Sequence, residues 1–376
     1  MNRREFVRLA GSGVSATALA ERIAEARVAQ SPAPAGRSLP TKMYVGTQQG
    51  DSEEMLRAFA AFGVNHICGS LPSKTLDDAW TVEALAKRRD RAQAHGVSLD
   101  MLPLPMSSAE ISSAEMPAIM LGTNPDRDRN IDDICTMIRN CAGAGIMQVK
   151  YNFTLLGVVR TGSAAGRGTS RYSQFVYAGA KPDPPLTIAG PLAADTYWER
   201  ITYFLERVVP VAEEYKVRLG CHPQDPGLPK GSGWRGVDAV LASPDGLKKF
   251  LAIKESPYHG LNFCQGTVSE MLQDPAKEIY DVIRYFGSRQ KIFNVHFRNI
   301  RGHRDDFVEV YPDEGDVDLV NAMQVYKELN YPYMMMPDHV PLATSDPGGL
   351  QSFAYCYGYI RALIQSVNRP VEGSTP

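Results

Sequence analysis

Eight short, continuously apolar runs alternate with eight longer stretches of helical periodicity, and this alternation constrains the fold more than any other feature of the chain. The short runs fall at residues 43–47, 65–70, 98–103, 147–153, 217–223, 261–266, 292–299 and 333–339. A strand carries apolar residues at both alternating positions when both of its faces are covered, as in a parallel sheet flanked by helices. The helical stretches fall at 52–62, 80–95, 131–142, 195–215, 244–253, 275–286, 318–329 and 350–366. Strand and helix in strict alternation predict an α/β fold, and eight such units predict a (β/α)8 TIM barrel forming one domain over residues 42–370. Gly63, Gly96 and Gly145 each follow a periodic stretch, where a C-capping glycine belongs, and Asp195 stands where the helix at 195–215 would take an N-cap.

Two regions fall outside the repeat. Residues 154–194, between the fourth strand and its helix, are rich in Gly, Ser and Pro and include GSAAGRGTSRY. A connection this long in a compact domain is usually functional or disordered, and its place on the catalytic face predicts an active-site cap. At the other exception, MNRREFVRLAGSGVSATALA sets Arg3 and Arg4 before Phe6 and a mildly apolar Gly- and Ala-rich run, as a twin-arginine export signal does. Residues 1–30 are expected to be that signal, with small-residue cleavage points at Ala18-Leu19-Ala20 and Ala24-Glu25-Ala26, and 31–41 a linker. The mature protein is then periplasmic, or cytoplasmic were the signal silent. No later segment reaches roughly 18 consecutive apolar residues, so no membrane-spanning helix is expected.

A formal net charge of −2 with no basic stripe argues against nucleic acid or an acidic membrane surface as partner, which leaves a small molecule. The six cysteines show no disulfide framework; Cys68, Cys221 and Cys264 lie in or at the end of apolar runs and are expected as buried thiols.

Four successive strands end on a possible metal ligand: His222, Cys264, His296 and Asp338. Taken singly, the histidines read as structural, the cysteine as a small buried hydrophobe and the aspartate as a helix cap. Taken together they converge, because the C-terminal strand ends of a barrel surround one mouth. Nitrogen, sulfur and oxygen donors in one set suit a borderline divalent metal. Tyr151, Asn152 and Arg160 lie at or beyond the end of the fourth strand, where a guanidinium can hold a carboxylate bidentately. Arg298 follows His296 by two and shares its side of the strand. His66 and His303 lack such surroundings, and His259 precedes the sixth strand, at the closed end of the barrel.

These residues fall into an ordered set of motifs: Tyr151-Asn152-Phe153 with Arg160, HPxDP at His222 to Pro226, NFCxG at Asn262 to Gly266, HFRN at His296 to Asn299, GDVD at Gly315 to Asp318, PDH at Pro337 to His339, and WxVExxxKR from Trp80 to Arg88. Together they resemble the mannonate dehydratase family, over roughly Met43 to Ser366. The resemblance implies a xylose-isomerase-like barrel that holds Mn²⁺, or Fe²⁺, Co²⁺ or Zn²⁺ in its place, and dehydrates D-mannonate or a related sugar acid to a 2-keto-3-deoxy acid. It implies His222, Cys264, His296 and Asp338 as the metal ligands and His339 as the acid/base group. Tyr355, among Tyr355, Tyr357 and Tyr359, would protonate the departing hydroxyl, Tyr151, Asn152, Arg160 and Arg298 would contact substrate, and the protein would form a homo-oligomer.

The chemistry fits those roles. Dehydration takes the proton from the carbon next to the carboxylate, and a divalent cation stabilises the charge that develops there. A neutral histidine whose pKa the cation lowers can carry the proton. Three departures stand against the pattern: Gln224 replaces an acid within HPxDP, Met336 replaces an arginine before PDH, and Cys68 and Ser70 occupy a stretch where paired histidines are expected. They leave a second reading open, a sugar isomerase, epimerase or β-eliminating lyase of the same fold acting on a different sugar or glycoside. A two-metal hydrolase would need more acids near the strand ends, and a carbohydrate-binding protein without catalysis would not need His339.

Overall fold

The computed structural model describes residues 42–179, 185–228 and 233–369; the expected signal and linker at 1–41 lie outside the described residues. Strands β1 (Tyr44–Thr47), β2 (His66–Cys68), β3 (Ser98–Pro103), β4 (Gln148–Asn152), β5 (Arg218–His222), β6 (His259–Cys264), β7 (Ile292–His296) and β8 (Met334–Met336) close into a parallel barrel in sequence order, β8 pairing back onto β1. Around them run α1 (Glu53–Phe62), α2 (Val82–Ala94), α3 (Asp126–Gly143), α4 (Ala194–Tyr215), α5 (Pro244–Ile253), α6 (Pro275–Gly287), α7 (Leu319–Glu328) and α8 (Leu350–Val367). The expected TIM barrel is therefore present, most ends moved by a few residues.

Apolar periodicity becomes packing in a direct way. In α6, Ile279, Ile283 and Phe286 lie on one face and are buried against the barrel, while the outer face carries charge. Ser52, Thr81, Ser243 and Asp318 accept backbone N–H groups at the starts of α1, α2, α5 and α7, each such cap contributing about 1 kcal/mol. Gly63 takes φ 70° after α1, a conformation that only glycine adopts without strain. Asp195 is not the N-cap of α4: that position is Ala193, and the Asp238 carboxylate accepts from Ala194 N at 2.8 Å. Asp195 instead sits in the first helical turn, where the helix dipole favours its charge.

Within the segment expected to form a cap, residues 162–165 and 170–176 are built of strand. Gly162–Ala165 pairs antiparallel with Ser170–Val176, which pairs in turn with Asp306–Val310, and that strand with Asn299–His303. Leu342–Ala343 borders the same sheet. The apolar run at 292–299 is thus two elements, β7 ending at His296 and a cap strand starting at Asn299. Phe175, Ile300 and Phe307 of this sheet bury a small core of their own with Leu228 and Ala242.

All six cysteines are free and buried, and no described helix is long and apolar enough to cross a membrane. His259 opens β6 at the closed end, fully buried, its Nδ1 2.9 Å from the Lys254 carbonyl.

Candidate metal centre and its surroundings

Barrel register brings the four strand-end donors to one level. Cys264 pairs with His296 across β6 and β7, His296 with Met336 across β7 and β8, and His222 with Asn152 across β5 and β4. Asp338 follows β8 by two residues. One ligand atom from each of His222, Cys264, His296 and Asp338 lies within 4.8 Å of every other.

Each donor is turned toward that point by a second contact. His222 Nδ1 lies 2.7 Å from the Pro223 carbonyl, so it carries the proton and Nε2 keeps its lone pair. Burial holds this imidazole below its ordinary pKa, neutral at pH 7. Cys264 Sγ accepts from Thr267 N at 3.4 Å and from Thr267 Oγ1 at 3.1 Å. Burial alone would raise the thiol, but the Arg298 charge and the His296 hydrogen bond outweigh it and bring it down, toward the thiolate that binds metals. Asp338 divides its oxygens. Gln48 Nε2 donates to Oδ1 at 2.8 Å, leaving Oδ2 3.2 Å from His296 Nδ1 and 3.7 Å from Cys264 Sγ. Both ring nitrogens of His296 are buried, and neither makes a well-aligned hydrogen bond, although Cys264 and Asp338 lie close by; a coordinated cation would satisfy them. Two imidazole nitrogens, a thiolate and a carboxylate oxygen would together suit a borderline divalent ion.

Beside this cluster lies a buried ionic network. Arg160 holds Asp225 at 2.5 and 3.2 Å and Glu309 at 2.5 Å. Arg298 holds Glu270 at 2.8 Å and Asp225 at 3.0 Å, and passes 3.5 Å from Asp338. The close approach of Arg298 depends on Gly266, where a Cβ would come within 2.4 Å of Arg298 Cγ. Asp225, Glu309 and His339 also bring ligand atoms within 4.8 Å of one another, but the two guanidinium groups already neutralise that cluster, and a second cation there would meet like charge. Burial and the Asp225 carboxylate push the Glu270 carboxyl well above the usual range.

His339 Nδ1 lies 2.6 Å from Glu309 Oε1, and Nε2 lies 3.7 Å from Asp338 Oδ2. Burial pulls its pKa down, but the Asp338 and Glu309 charges outweigh it and push it up to about 10. The neutral imidazole expected from sequence is thus opposed by the protein's own carboxylates; charge on Asp338 shared with a cation would act the other way. Asp338, His339, Glu309 and Arg160 open onto a depression of about 780 Å³ bordered by Arg171 and Ser173 of the second sheet.

Two expected site residues are displaced: Tyr151, expected to contact substrate, and Tyr355, expected to protonate the departing hydroxyl. Tyr151 is 1% exposed, its ring 5.3 Å from Phe153 and 5.6 Å from Phe204, so it faces the helical layer and cannot reach the mouth. Alternation along β4 explains this, since Asn152, its neighbour, takes the other side. Tyr355 is 39% exposed and lies with Arg167 and Tyr311 in a separate depression of about 510 Å³, so it does not stand beside His339. Tyr357, the next aromatic, bonds Thr47 Oγ1 at 2.6 Å in the core. Arg160 and Arg298 reach the site but are occupied by carboxylates, which leaves no free guanidinium fork for a substrate. Gln48, Glu309 and Asp225 stand in the site without having been singled out from sequence; only Asp225 carried a signal, as the acid of HPxDP.

A family model for D-mannonate dehydratase (UxuA) matches residues 44–172 and 189–373. A mannonate dehydratase of Thermotoga petrophila is 27% identical over 348 residues, covering 82% of this chain and 92% of its own length. Among solved structures, a mannonate dehydratase from Streptococcus suis superposes with a TM-score of 0.72 at 21% identity, over 90% of this chain and 99% of that one. A xylose isomerase domain protein from Planctomyces limnophilus follows at 0.54 and 13%, over 87% and 97%.

Proposed function

The chain belongs to the D-mannonate dehydratase family, and on that premise we propose that it removes water from D-mannonate, or a closely related sugar acid, to give a 2-keto-3-deoxy acid. The observation that carries this reading is the four-donor cluster with His339 one residue beyond it. His222, Cys264, His296 and Asp338 would hold the ion, with Mn²⁺ the expected occupant. When bound, it supplies Lewis-acid stabilisation of charge developing on the substrate carboxylate.

The remaining work falls to His339. Its Nδ1 is tied to Glu309, so Nε2 is the atom that faces a substrate. As a base it takes the proton from the carbon next to the carboxylate. The imidazolium formed is stabilised against Glu309 and returns that proton to the departing hydroxyl, so one group on one face serves both halves of the elimination. This assigns to His339 the acid role that Tyr355 was expected to play. Arg160 and Arg298 act by holding Asp225, Glu309 and Asp338 in place.

Export through the twin-arginine route, with a periplasmic mature protein and assembly into a homo-oligomer, completes the proposal. Export rests on Arg3, Arg4 and the run that follows them, and the homo-oligomer on membership of the family; amino-terminal sequencing of the protein recovered from cells tests export, the full-length start counting against it.

The catalytic proposal is tested by incubating the protein with D-mannonate and Mn²⁺ and following the 2-keto-3-deoxy product. Product from the wild type and its loss by at least about 100-fold in His339→Ala is the expected result. An epimer or ketose of unchanged mass would contradict it and favour the isomerase reading.

A further inference from the structure

Lys150 is a half-buried cation in the barrel whose one hydrogen-bond partner is uncharged. It lies two residues before Asn152 and two after Gln148, on the same side of β4. That side faces the interior, since the Gln148 amide donates to the Phe293 carbonyl of β7 at 2.9 Å. From there the Lys150 ammonium crosses to Gln48, just beyond β1 and three strands away around the barrel, and donates to its Oε1. The same Gln48 amide donates through Nε2 to Asp338 Oδ1 at 2.8 Å. One side-chain amide therefore separates the ammonium from a residue of the four-donor cluster.

Among the described residues, no carboxylate lies within ion-pairing distance of Lys150. The other cations near the cluster are committed: Arg160 to Asp225 and Glu309, Arg298 to Asp225 and Glu270. Arg171 also borders the mouth, but it is exposed, and water screens a charge in that position. An ammonium has three donors, and a single neutral acceptor leaves most of that capacity unused where solvation is reduced. Charge balance points the same way. Arg160, Arg298 and His339 each contact carboxylates among Asp225, Glu270, Glu309 and Asp338, whereas Lys150 contacts none among the described residues.

We propose that Lys150 receives the carboxylate of the substrate and thereby sets the preference of this mouth for sugar acids over neutral sugars. The inference rests on the sugar-acid reading above and names the residue that enforces it. Arg160 and Arg298 then have no direct part in carboxylate recognition.

The test compares calorimetric binding of D-mannonate and of D-mannitol, its neutral alditol counterpart, to the Mn²⁺-loaded wild type, K150M and K150R, with metal content and thermal unfolding measured for each. The wild type should prefer the acid. K150M should lose about 10–100-fold in affinity for mannonate, the range for a charge-assisted hydrogen bond, while binding mannitol as the wild type does; K150R should recover part of the loss. Equal mannonate affinity in wild type and K150M overturns the proposal, and so does a wild type that binds mannitol as tightly as mannonate, a result that needs no variant to fold. Conversion of mannonate by the wild type, together with unchanged affinity in K150M, would remove Lys150 alone. A wild type that neither binds nor converts an aldonate would remove the sugar-acid reading itself.

Discussion

At Asp338 the two carboxylate oxygens face different partners, Oδ1 the Gln48 amide and Oδ2 the histidine and cysteine of the cluster, and this division orients a single oxygen toward an ion. Thr267 does the same for Cys264 from beneath, through its N–H and its hydroxyl. Contacts of this kind tune metal affinity without touching the metal. Thr267→Val, which keeps the volume and the N–H but removes the hydroxyl, should weaken retention of the divalent ion by about 10–100-fold, read as metal content after dialysis against a graded chelator; unchanged retention would show that the hydroxyl is idle. Glu309→Gln keeps a hydrogen-bonding oxygen for Arg160 but removes the charge facing His339. The expected outcome is a fall in kcat of at least about tenfold, with metal content unchanged. The four donors were legible from sequence because strand ends place them by topology alone. Glu309 and Gln48 were not, because nothing in VEV or TQQ signals which loop folds over the mouth. Tyr355 was misplaced because periodicity identifies a helix without fixing which face meets the site.

The cap is where element-level reading was least complete. Gly, Ser and Arg in GSAAGRGTSRY suggest turns, and they do make one, closing Gly162–Ala165 onto Ser170–Val176, but this hairpin joins the rest of its sheet through Asp306–Val310 and Leu342–Ala343, more than a hundred positions away. Such pairing has no local periodicity to announce it. The break after His296 was hidden because the apolar run continues from a buried barrel strand into the first two residues of the next strand, Asn299 and Ile300, which are buried as well. This second layer bears on the site through Phe307, whose ring lies 5.2 Å beneath the Arg160 guanidinium, and through Glu309, two residues on. Phe307→Ala should therefore open the cap: hydrogen exchange accelerates over 162–176 and 299–310 while β5, β6 and β7 keep their protection. Uniform acceleration through the barrel strands would instead make the cap core inseparable from the main one.

On the scale of the whole molecule, the barrel was legible in outline because burial on both faces leaves a plain mark on eight strands. Stability and chemistry occupy opposite ends of it. At the closed end, burial lowers the pKa of His259 from 6.5 to about 4, so the folded protein keeps this imidazole neutral over a range in which the unfolded chain takes up a proton. The contribution is fully present above pH 6.5 and is lost as the pH falls toward 4, a change of roughly 3 kcal/mol. Urea unfolding across that window should show a slope that His259→Phe reduces; an equal slope in both proteins would place the acid sensitivity elsewhere.

At the open end, the four-donor cluster should hold one divalent ion on which dehydration of a sugar acid depends. The most direct measurement titrates Mn²⁺ into chelated, metal-free protein while following the 2-keto-3-deoxy product of D-mannonate. Activity should rise linearly and level off at about one ion per chain, and His296→Ala should abolish both tight binding and turnover. Full activity in the metal-free protein, or one tightly bound ion retained in His296→Ala, would contradict the account.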